Sequence, residues 1–149
     1  METLSSRLVI AQFCDDIRHE IGGKFSLVGC YGGEMIIDKL PIVLPKLCAQ
    51  ISVFTPFERP FGLLLLRANL NGDTLAEIEM PTREMKESIQ KKKLKSELGR
   101  LSAMALMVFS PLPVNEPCKL RIEAETEDGI ILGSFLTIRE RTLDDPPMK

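Results

Sequence analysis

The chain has 149 residues and a mass of 16.7 kDa, with 44% hydrophobic and 27% charged residues. That is the usual size of one domain, with enough apolar sequence for a core. Nineteen basic and 21 acidic side chains leave a net charge of −2, which argues against general nucleic-acid binding through basic charge.

Residues 7–14 are expected to form a strand, followed by Asp15-Asp16-Ile17-Arg18-His19-Glu20. This polar stretch is expected to be a loop. Gly22-Gly23 then suits the turn of a hairpin into a strand over 24–31. Further strands are expected at 34–38 and 46–54, with glycines at 32 and 33 between the earlier pair. Pro41 and Pro45 flank an apolar segment that cannot continue as a central strand. Residues 61–70 and 74–80 flank Asn71-Gly72, a pair suited to a type I′ hairpin because both central residues need positive φ.

Residues 82–100 break the period of two. Helix formers fill this segment and Pro81 precedes it, so a short helix is expected, with a break near residues 90–93. Residues 101–109 read as another strand, apolar on both faces like 63–70. Such a strand is either covered on both sides or forms an interface. In 118–125, Cys118, Leu120, Ile122 and Ala124 alternate with Lys119, Arg121, Glu123 and Glu125. This is a half-buried antiparallel strand. The turn residues Glu127, Asp128 and Gly129 lead to its hairpin partner at 130–139.

The pattern predicts an all-β chain, 1–149, forming one two-sheet antiparallel sandwich of about eight strands, immunoglobulin-like or similar. A lysine-rich helical or loop insertion occupies 82–100. The expected core includes Val9, Phe25, Leu27, Leu47, Ile51, Val53, Leu65, Met107, Leu120, Ile122, Leu132 and Leu136.

The charge is unevenly spread. Residues 83–100 carry +4 and the rest of the chain −6. Arg83, Lys86, Lys91, Lys92, Lys93 and Lys95 are therefore the expected partner contact. An acidic protein or an anion would suit them, whereas nucleic acid is disfavoured because no aromatic residue is interleaved for base stacking. A solvated surface helix is the plainer account of the same residues.

Chemistry is thinly represented. Cys14, Asp15, Asp16 and His19 are the one cluster from which a small hydrolase-like enzyme could be built, and it would need the sulfur and imidazole in contact. Neither a cofactor fingerprint nor a metal-ligand spacing occurs. Cysteines 14, 30, 48 and 118 are 16, 18 and 70 residues apart, whereas zinc ligands usually pair within about two to four. They read as small buried hydrophobes of a reducing compartment. Loop carboxylates at 15, 16, 38, 73 and 128 could gather around calcium, although aspartate is favoured in turns on its own account.

The longest apolar run, 103–109, falls far short of the roughly 20 residues of a membrane helix. Residues 1–10 do not read as a signal peptide. A cytoplasmic protein without a membrane span is expected.

Phe13-Cys14-Asp15-Asp16-Ile17-Arg18, Gly22-Gly23-Lys24 and Leu44-Pro45-Lys46-Leu47 resemble a family of small bacterial proteins without an established activity. The likeness covers the first third well and extends to residues 110–138, while the lysine-rich insertion matches less clearly. It implies a compact β-sandwich and transfers no catalytic residue. The function expected is a non-enzymatic binding or assembly module of the bacterial cytoplasm, with a protein partner or a second copy of the chain.

Overall fold

The structure is a computed structural model that describes residues 6–92 and 99–147. The period-two segments form β1 (Leu8–His19), β2 (Phe25–Cys30), β3 (Glu34–Ile37), β4 (Ile42–Leu44), β5 (Leu47–Pro56), β6 (Leu64–Leu70) and β7 (Asp73–Glu79). Helix α1 (Thr82–Lys92) follows, then β8 (Arg100–Phe109), β9 (Leu112–Val114), β10 (Cys118–Thr126) and β11 (Gly129–Glu140). The fold is mostly β, in several sheets that do not close into a barrel.

A first sheet has the order β2-β1-β5-β8, and a second β3-β11-β10-β6-β7. Two departures from an antiparallel two-sheet arrangement stand out. Strand β3 pairs with β11 in parallel, Met35 opposite Ile138. The chain changes sheets at Gly32-Gly33 and enters beside the end of a strand about a hundred residues later, so no hairpin dictates its direction. Strands β4 and β9 form a separate two-stranded sheet, Ile42 opposite Val114. The prolines at 41, 45, 111 and 113 keep these three-residue strands short and out of the larger sheets.

The turns follow from local chemistry. Asn71 and Gly72 have φ of 48° and 89°, which is the type I′ geometry of a tight hairpin between β6 and β7. The Asn71 amide also bridges to β10, accepting the Lys119 N–H at 3.0 Å.

One core cluster draws on both larger sheets. Val9, Leu47, Ile51, Val53 and Met107 come from the first, and Leu120, Ile122 and Leu136 from the second. Burying each such aliphatic side chain contributes about 1.5–3 kcal/mol. Other expected core residues fall elsewhere. Leu132 is 64% exposed. Ile122 faces two residues of β11, Gly133 and Ser134, so the register shifts there. This bulge flips the sidedness of everything before it, turning Leu132 outward and Ile131 toward the core. Leu65 is only half buried because Leu64 and Leu66 hold the inward positions of β6. Phe25 and Leu27 are half buried on β2, an edge strand.

Candidate functional site

The structure does not bring Cys14 and His19 together. Strand β1 runs through the expected loop as far as His19. Five residues of extended chain separate the two by about 16 Å and turn their side chains to opposite faces. Cys14 is buried and His19 exposed. Burial, then the neighbouring Cys48 and Cys30, pushes the Cys14 thiol up to about 11. It is a protonated thiol at neutral pH, not an activated nucleophile.

The carboxylates are occupied separately. Asp16 pairs with Lys46 at 3.0 Å, and this hydrogen bond, helped by the Ile17 N–H, lowers its carboxyl. Asp15 accepts the Tyr31 hydroxyl, while burial and then this bond raise the phenol. Asp128 pairs with Arg7 and Arg59. Asp73 opens β7 rather than lying in a loop. Among the described residues, no group of three His, Cys, Asp or Glu side chains is gathered to hold a metal ion.

The basic segment is helical in its first part. Arg83 and Lys86 are exposed on α1, with Arg83 3.6 Å from Glu87 one turn on. The backbones of Lys91 and Lys92 end the helix; Lys93 and Lys95 lie outside the described residues. The expected break near 90–93 reaches the edge of the described residues, with residue 93 outside them. Met85 anchors α1 against Phe57 and Leu101 at the start of β8.

The informative surface lies elsewhere. Over Leu8–Cys14 of β1 and along β5 and β8, odd-numbered residues face the core and even-numbered ones the other side of the sheet. The outward rows read Leu8–Phe54–Ser102, Ile10–Ser52–Met104, Gln12–Gln50–Leu106 and Cys14–Cys48–Val108. None of these twelve positions is charged. They span about 14 by 23 Å of sheet; Cys14 and Cys48 are fully buried, Gln12, Gln50, Ser52 and Ser102 are polar, and Leu8, Ile10, Met104 and Val108 are the exposed apolar members. Met104 and Val108 are 46% and 56% exposed.

The second sheet carries charge on its outer face beside exposed apolar residues such as Leu132. There Arg67 pairs with Glu77, Glu123 and Glu125 at 2.8–3.1 Å.

Among the described residues, the uncharged face ends at an open edge. Among the described residues, β5 is the one strand paired with β8. The Phe57 N–H donates to the Gly99 carbonyl at 3.0 Å, which marks the odd-numbered residues of β8 as those bonded toward β5. The N–H and C=O groups of Ser102, Met104, Leu106 and Val108 therefore point out of the sheet. Edge strands are commonly blunted by lysine, proline, a bulge or shortness. Strand β8 is ten residues long, unbulged against β5, and has no charge after Arg100 and no proline.

The sequence reading found β8 by its two apolar faces but not the face it belongs to. The signal was present: every second residue of 8–14, 48–54 and 102–108 is uncharged. Knowing that these segments are neighbours required the strand order. Comparison with family models, with curated proteins and with solved structures finds no match for the chain.

Proposed function

We propose that this chain is a single β-sandwich domain, immunoglobulin-like or similar, acting as a non-enzymatic assembly module of a bacterial cytoplasm. Its contact is the open edge of β8, and the partner is a second copy of the chain. Two β8 strands pair antiparallel about a two-fold axis near Ala105, so that Met104 lies opposite the partner's Leu106. One observation carries the reading: twelve outward positions without charge adjoin a long edge without a blocking residue. A two-fold pairing is self-complementary, and each copy would satisfy the backbone groups that the other leaves open.

The cytoplasmic setting rests on the free thiols and on the resemblance of the first third to small bacterial proteins. The separation of Cys14 from His19 disfavours the hydrolase alternative, and the +4 segment stands as a secondary surface for an acidic partner. Size-exclusion chromatography with light scattering tests the proposal. A dimer is expected, and Met104→Pro should convert it to a folded monomer, because that N–H makes no bond to β5. A monomeric wild-type chain across the micromolar range would overturn self-assembly.

A further inference from the structure

Cys30, Cys14 and Cys48 stand in one row across three neighbouring strands of the first sheet, Cys14 in the middle. Cys30 is exposed and the other two are buried. The ladder decides which pair can be joined. Tyr31 N–H donates to the Phe13 carbonyl at 2.9 Å, so residues 13 and 31 form a hydrogen-bonded pair. The next pair, Cys14 with Cys30, is then a non-hydrogen-bonded one. Such pairs hold Cα atoms about 4.5 Å apart with their side chains close, inside the roughly 4.4–6.8 Å spanned by disulfides. By the same alternation Cys14 and Cys48 are a hydrogen-bonded pair; their Cα atoms, about 5.5 Å apart, also fall in that range, but their Cβ atoms stand further apart than the roughly 3.5–4.5 Å of a disulfide.

We infer that Cys14 and Cys30 form a reversible dithiol–disulfide pair, oxidised by small-molecule disulfides of the glutathione class, with Cys30 as the point of entry. The Cys30 thiolate attacks one sulfur of the external disulfide and expels a thiolate. This leaves a mixed disulfide on Cys30. The Cys14 thiol gives its proton to solvent, and its sulfur attacks the Cys30 sulfur. A second external thiolate leaves as the Cys14–Cys30 bond forms. Two protein thiols lose two electrons, and one external disulfide is reduced to two thiols.

The environment orders the two steps. Cys30 meets the reagent first because it is exposed. Burial pushes the Cys14 thiol up to about 11, so the second step waits on a small thiolate fraction. It should quicken about tenfold for each unit of pH well below that value. A bond closing a tight cross-strand pair near the surface belongs to the more reducible class, which makes the pair reversible.

The test treats the reduced full chain with excess oxidised glutathione, blocks remaining thiols with iodoacetamide, and maps peptides by mass spectrometry over time. The expected course is a glutathione adduct on Cys30, then a Cys14–Cys30 linkage that dithiothreitol removes. Cys14→Ser should stop at the adduct, with Cys14→Ala as the substitute if the hydroxyl disturbs folding. Cys30→Ser should take up glutathione at neither position. A wild-type chain that halts at the Cys30 adduct at every pH would overturn the pairing. So would a linkage between Cys30 residues of two chains, or oxidation of Cys14 undiminished in Cys30→Ser.

Discussion

The backbone N–H of Ala11 donates to the hydroxyl of Ser134 at 3.0 Å, joining the two larger sheets at one corner. Strand β2 pairs β1 no further toward its start than Cys14, so the Ala11 amide lies beyond it without a strand partner on that side. The β11 bulge supplies one. Beside it, a Cβ on Gly133 would lie 2.8 Å from the Ile122 carbonyl oxygen and 3.0 Å from that of Val9. The Val9 Cγ1 would lie at 2.9 Å as well, and moving that side chain would not relieve the two backbone contacts. Ser134→Ala should therefore cost about 1–2 kcal/mol, the penalty of a buried N–H left unpaired. Gly133→Ala should cost more, about 1–3 kcal/mol from overpacking plus a shifted corner. Urea denaturation of both variants checks the order, and a Gly133→Ala chain as stable as wild type would contradict this account of the corner.

Arg7 is the pin just before the start of β1. Its side chain is 3% exposed, donates to Thr55, Asp128, Glu127 and the carbonyls of Arg59 and Pro60, and lies 4.5 Å over the Phe61 ring. Three segments distant in sequence meet on one guanidinium. Arg7→Ala takes the donor from the Pro60 carbonyl and the cation from Glu127, which keeps the Gly62 and Leu63 N–H groups, and should cost about 1–3 kcal/mol. The pair Arg7→Met with Glu127→Leu removes both charges together and should recover part of that loss. A double-mutant cycle by thermal melting reads the difference.

The same contact makes stability depend on pH. Burial raises the Glu127 carboxyl, but Arg7 and the N–H groups of Gly62 and Leu63 outweigh it and bring the group down to about 2. Because the folded value lies below the ordinary 4.5, the stabilisation is complete above about 4.5 and fades as the pH falls toward about 2. Denaturant midpoints measured down this range should fall more for wild type than for Glu127→Gln. Parallel curves for the two would show that Glu127 does not carry the effect.

Asn71 should be the costliest exposed residue of the β6–β7 hairpin to truncate. It holds φ at 48° and ties the turn to Lys119 and Pro117 of the β10 side. Asn71→Ala places a Cβ in the left-handed region and leaves the Lys119 N–H without its side-chain partner. A loss of about 1–2 kcal/mol is expected. Asn71→Gly should recover the conformational part alone, and thermal melts of the two separate the contributions.

Much of this architecture was legible because side-chain alternation and turn chemistry are local. The charged and apolar faces of 118–125, the Asn71-Gly72 turn and the helix after Pro81 could all be read within a few residues. Alternation alone turns Leu132 inward, but a bulge depends on what the partner strand accepts, and β11 bends there to reach β1. Polar residues around His19 suggest a loop, yet β2 pairs with β1 to its end. The uncharged face needed strand order, a non-local property. Even the cysteine pair left a trace: positions 14 and 30 are equidistant from Gly22 at the hairpin turn.

Edge pairing and face stacking make different demands on the uncharged surface, and Ile10 separates them. It points outward from β1, two strands from the open edge of β8, so about 10 Å of sheet lies between them. It is already half exposed, so Ile10→Lys should change monomer stability by no more than about 0.5 kcal/mol. If two copies join through β8, a lysine at position 10 stays in water and the dimer persists, while Met104→Pro abolishes it. If instead the faces stack, the lysine is buried without a partner and dissociates the pair, and Met104→Pro has the smaller effect. Sedimentation velocity on the two variants beside wild type distinguishes these outcomes. Dissociation by Ile10→Lys alone would move the contact from the edge to the face.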